Sequence, residues 1–182
     1  MSRSRFAAEA APVAAWVLAS VSAVAVFVRV AAAEQARTWL DFPFAGVDPT
    51  ASTAISIFAN NARMLLGVVA GAAVIQSRPC RAMDGDRSSL GVLVMSLLDT
   101  LFVLVAASNI VVVGAALGAY GGRMATAMLP HGPFELAAFA AVLTLYRRAR
   151  RGPVPPQQIA FAAVACLGLI LVGAVLETYA GL

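Results

Sequence analysis

Five apolar runs, each about as long as a helix that crosses a lipid bilayer, constrain this chain more than any other feature. A bilayer core of about 30 Å is crossed by roughly 20 helical residues. The runs cover about 11–33, 53–75, 90–117, 131–146 and 159–179; the fourth is the shortest and the third is long enough to tilt. No ten-residue segments of strict alternation occur, which excludes a membrane β-barrel. Composition agrees, with 61% hydrophobic and 12% charged residues. A soluble domain carries about 25% charged residues, and here too few polar residues exist to cover an outer surface. The expectation is one all-α transmembrane domain over 1–182, a bundle of about five helices.

The first run has a competing reading. MSRSR resembles the charged start of a signal peptide, and Ala31-Ala32-Ala33 resembles a cleavage site. The apolar stretch exceeds the usual signal length, so a retained helix is expected, with Pro12 in its first turn, where proline is tolerated. The formal net charge is +4 and all thirteen basic residues are Arg. With the N-terminus inside, the inner side collects Arg3, Arg5, Arg78, Arg81, Arg87, Arg147, Arg148, Arg150 and Arg151, and the outer side keeps Arg37 and Arg123. This distribution sets topology and argues against nucleic acid as the partner of a basic chain. The linker 34–50 carries Glu34, Asp41 and Asp48 and suits the outer side. Cys80 and Cys166 fall at different depths and are not expected to pair.

Ionisable groups inside a bilayer cost several kcal/mol unless paired or hydrated. The second run holds Asn60, Asn61 and Arg63, the third Asp99 and Asn109, the fourth opens with His131 and Glu135, and the fifth ends with Glu177. Alternating helix direction brings Asn60, Asn61, Asn109, His131, Glu135 and Glu177 to one layer in the outer part of the membrane. Arg63 lies about a turn deeper and is the expected counter-charge, whereas Asp99 lies apart, toward the middle or inner half. His131 and Glu135, four apart, share a helix face. That pair can serve as ligands or as a hydrogen-bonded fastener; with one His in the chain and no HExxH, no metal, cofactor or catalytic residue is assigned. Gly67 and Gly71 form one GxxxG, and Gly114 and Gly118 another, both expected to allow close helix packing. Gly121-Gly122 should break the third helix, and 124–129 is too short to span.

The stretch LPHGPFEL, Leu129 to Leu136, resembles the signature of the stage II sporulation protein M family (DUF95), in which a Pro-His-Gly segment leads into a helix bearing a glutamate. Asn61 in FANNARMLLGVVAG, Asn109 before VVVGAALG, the basic RRARRG loop and Glu177 in LETYAG follow in the same order. The resemblance covers roughly 57–182. It implies a multi-pass protein of the bacterial inner membrane, acting as a membrane partner of other proteins and not as a lytic enzyme; the N-terminus inside and the C-terminus outside are expected from the Arg distribution. It does not imply sporulation.

Three functions remain open. The first is a small scaffold or accessory subunit of a larger membrane complex. The second is a transporter or permease component with Arg63, Glu135 and Glu177 along a path, which five helices alone would wall thinly, so that further copies of the chain would be needed. The third is an intramembrane hydrolase using His131 with Glu135, and Glu177 as a further candidate, for which no nucleophile is recognised. No GxSxG and no phosphate-binding loop occur, so the chain is not expected to be an enzyme. Lipid and other membrane subunits are the expected partners.

Overall fold

The computed structural model describes residues 3–42, 48–77 and 89–180, with backbone alone for 3–5 and 89. The chain is an all-α bundle without strands among the described residues. Its helices are α1 (Arg3–Ala31), α2 (Ala33–Leu40), α3 (Ala51–Gln76), α4 (Ser89–Tyr120), α5 (Gly122–Met128), α6 (Gly132–Arg151) and α7 (Pro156–Ala180). Four are long and apolar enough to cross a membrane: α1, α3, α4 and α7. The α5–α6 pair, bent by 76°, makes a fifth span if counted as one. Arg78, Cys80, Arg81 and Arg87 lie outside the described residues, as do the side chains of Arg3 and Arg5.

Local chemistry sets the boundaries. Thr50 caps α3, its hydroxyl accepting from the Thr53 amide at 3.2 Å. Gly121, at φ 59, ends α4 in a conformation that side-chain-bearing residues rarely adopt. Pro133 stands in the first turn of α6 and Pro156 opens α7. Two expectations need correction. The first helix starts at Arg3, so Pro12 lies inside it and removes one backbone hydrogen bond there. The 34–50 linker begins with a short helix, α2, held by Arg37 Nε donating to the Ala119 carbonyl at 2.9 Å.

The bundle is apolar outside as well as inside. Trp16, Phe27, Val30, Leu93, Leu104 and Val164 are all exposed, which water would penalise and lipid does not. α1 packs mainly on α4, while α7 packs on both α3 and α6; α6 also touches α1. The first seam is glycine-made. A Cβ on Gly114 would stand 2.7 Å from Val24 Cβ, and one on Gly118 would stand 2.5 Å from the Ala25 carbonyl oxygen. The other GxxxG behaves differently, and the expectation for it is corrected. Gly67 faces open space, and Gly71 meets only Tyr146, at an ordinary 3.7 Å.

Contacts at the helix ends fix the alternation. At one end, Arg148 pairs with Glu9 at 3.1 Å. There Gln76 also donates to the Ala149 and Gly152 carbonyls, at 2.8 and 2.9 Å, and accepts from the Val154 amide at 3.0 Å. At the other end α2 lies beside the end of α4, and Phe42 N donates to Tyr120 Oη at 3.0 Å. α6 therefore runs the length of the bundle, from the layer of Glu177 to that of Glu9.

Candidate functional site

Three helices build the polar centre. His131 immediately precedes α6, and its carbonyl accepts from the Phe134 and Glu135 amides at 3.0 and 3.3 Å. This closes the first turn of α6 and sets Glu135 four residues on, over the same face. Glu135 lies near the positive end of the α6 dipole, a favourable place for a carboxylate. From α3, Asn61 Nδ2 donates to Glu135 Oε1 at 2.7 Å. From α7, Gly173 lies beside Glu135: a Cβ there would make an ordinary contact, 3.4 Å from Glu135 Cγ. One turn further along α7, Glu177 presents its carboxylate. A ring nitrogen of His131 and one carboxylate oxygen each from Glu135 and Glu177 lie within 4.8 Å of one another. His131 Nδ1 is buried and has no hydrogen-bond partner among the described residues.

The layer is thus narrower than the sequence suggests. Asn61, His131, Glu135 and Glu177 come together. Asn109 does not join their hydrogen bonds: its amide donates to the Val105 carbonyl at 2.8 Å and to Met64 Sδ at 2.6 Å. It shares with Asn61 and Glu135 the wall of a cavity of about 210 Å³ that is otherwise mostly apolar and lies between the α1–α4 and α3–α6–α7 groups.

Asn60 and Arg63 are corrections. Both are exposed on the outer face of α3, and neither makes a hydrogen bond or ion pair among the described residues. Arg63 is not the counter-charge of the carboxylates. The reason is angular. At about 100° per residue, Asn60 turns about 100° from Asn61 and Arg63 about 200° from it, which carries both off the buried face occupied by Ala62, Leu65 and Val68.

A second polar group was only half anticipated. Asp99 accepts from Tyr146 Oη at 2.8 Å and pairs with Arg150 at 3.0 Å, both partners coming from α6. Tyr146 stacks on Phe102 with ring centroids 4.0 Å apart. The signal available in sequence was the spacing of Tyr146 and Arg150, four apart on one helix face. Gln76, which ties α3 to the α6–α7 turn, was also missed, as an ordinary amide at the end of an apolar run.

Chemically, the centre offers one imidazole and two carboxylates, and among the described residues no Arg pairs with them. No protein-family model, curated protein or solved structure matches the chain.

Proposed function

We propose that the chain is a small, non-enzymatic accessory subunit of a larger membrane complex, and that it receives a transmembrane helix of another protein along the outer face of α3. One observation carries this reading: Arg63 faces outward near the middle of a membrane-length helix. α3 has 26 residues, about 39 Å at 1.5 Å per residue, and Arg63 lies roughly 18 Å from its start. A lone Arg at such a depth costs at least about 2.5–3.5 kcal/mol on insertion scales. Asn60 lies on the same face one turn away. Gly67, a turn further, leaves room for a backbone to approach.

Charge chooses the occupant. A second copy laid on this face about a two-fold axis would set Arg63 against Arg63. A foreign helix bearing an Asp or Glu at the depth of Arg63, with a small residue opposite Gly67, satisfies both features. The likeness of 129–136 to the stage II sporulation protein M signature supports the same class of role, as a membrane partner in the bacterial inner membrane. Arg147, Arg148, Arg150 and Arg151 at one end of the bundle favour that end inside, with the C-terminus outside.

The test places a photo-crosslinking residue at position 67 in cells, with the native genes around it. The expected result is one adduct of defined mass that disappears in Arg63→Leu. An adduct of twice the chain's mass, or an unchanged adduct in Arg63→Leu, overturns the reading. A second reading, a component of a proton or solute path, is favoured by the cavity that Glu135 and Asn61 border. It requires Glu135→Gln to abolish function while the folded protein accumulates normally.

A further inference from the structure

We propose that His131, Glu135 and Glu177 form a binding site for one divalent transition-metal ion, of the Zn²⁺ class, inside the membrane bundle. The sequence places Glu177 at the depth of the His–Glu pair but assigns no metal. The fold adds the third ligand from α7, some forty residues away, and removes the Arg that would otherwise neutralise the carboxylates.

Geometry comes first. One ring nitrogen and two carboxylate oxygens lie within 4.8 Å of one another. Ligand bonds of about 2.0–2.2 Å set neighbouring ligands in a tetrahedral site about 3.4 Å apart. Glutamate side chains have three rotatable bonds through which that difference can close.

Charge is the second argument. Two carboxylates in a low-dielectric layer repel one another, and among the described residues no Arg pairs with either. A divalent cation with two carboxylates and a neutral imidazole sums to zero, the least costly total inside a membrane. Coordination would also fix the orientation of His131, whose buried Nδ1 has no hydrogen-bond partner among the described residues. The third argument is the surround. Asn61 donates to Glu135 Oε1 at 2.7 Å, the kind of outer hydrogen bond that orients a ligating carboxylate. Three protein ligands leave a fourth position for water or a substrate group. The borderline nitrogen and hard oxygen set suits Zn²⁺ or Co²⁺ over soft-metal chemistry.

The full chain in lipid nanodiscs is stripped with chelator, then titrated with ZnCl₂ alone, reading bound metal by elemental analysis and unfolding temperature. One Zn²⁺ per chain and a rise of about 4 °C or more at saturation are expected. Glu177→Gln should weaken binding at least tenfold, whereas Arg63→Ala, on the far face of α3, should leave it unchanged. Co²⁺ should give visible bands of a nitrogen and oxygen site. Wild-type protein that retains no stoichiometric metal overturns the proposal, whatever the variants do. So does a thiolate-to-cobalt band, which would move the site to a cysteine, or binding equal in wild type and folded Glu177→Gln. Arg63 lies outside this site, so failure here leaves the helix-docking reading untouched, and the converse also holds.

Discussion

Replacing Gly118 by leucine forces a side chain into the seam between α1 and α4. Even the first added carbon would stand 2.5 Å from the Ala25 carbonyl oxygen, 2.8 Å from Val28 Cβ and 3.1 Å from the Arg29 amide nitrogen. Against an ordinary contact near 3.4 Å, the shortfall is about 0.9 Å and falls on backbone, which cannot rotate away. The helices must part by a distance of that order, loosening the contact that buries Val28, Ala115 and Ala119. Overpacking of this kind costs about 1–3 kcal/mol, with leucine at the upper end. Better helix propensity returns about 0.8 kcal/mol, so a net loss of about 2 kcal/mol is expected. For a chain of this size that lowers the unfolding temperature by about 4–8 °C. Gly67→Leu is the internal control: nothing stands within 4 Å of its added carbon, and stability in detergent should hold or rise slightly. Thermal unfolding followed by circular dichroism in one detergent reads both. Gly118→Leu unfolding at the wild-type temperature, or Gly67→Leu losing as much as Gly118→Leu, refutes the seam.

Glu135→Leu leaves the Asn61 amide without its acceptor and should cost about 1–3 kcal/mol of stability, measured by the same melts; Glu135→Gln keeps an acceptor and should cost less. Gln76→Leu frees two carbonyls and one amide at the α6–α7 turn, and faster proteolysis between Arg151 and Pro156 is the expected readout. Asp99→Asn keeps the contact to Tyr146 but weakens that to Arg150. Because both charged groups are partly exposed (30% and 42%), the loss should stay near 1 kcal/mol or below. Single cysteines at Asp41 and Arg151 in a Cys-free background should react with membrane-impermeant reagent from opposite sides. Labelling of both from one side would contradict the passage of α6 through the bundle.

Run length sufficed to read four spans, because bilayer thickness fixes helix length; the fourth run counts as a span only together with α5, across a 76° bend. The gathering of Asn61, His131, Glu135 and Glu177 also followed from the sequence, since depth is counted along a helix from its end. Direction around the helix was not legible. In a soluble protein, the polar side of a helix marks the surface. Here the lipid face and the core face of α3 are both apolar, so nothing in the pattern told Asn60 and Arg63, which point out, from Asn61, which points in. The two GxxxG motifs failed to separate for the same reason: Gly114 and Gly118 meet α1, while Gly67 meets nothing. Asp99 had a legible depth, but its partners required knowing which face of α6 looks toward α4.

The glycine seam also orders the birth of the molecule. α1 enters the membrane long before α4 exists, and from Ala14 to Val28 it carries no charged residue that would need a companion while it waits. α3 then arrives with Asn61 and no acceptor. Glu135 follows in α6, and Glu177 enters only with α7, after the other members of the polar centre. The polar centre therefore cannot close around a nascent or truncated chain. A protease or partner that senses exposed His131 or Glu135 would be reading whether α7 has joined the other helices.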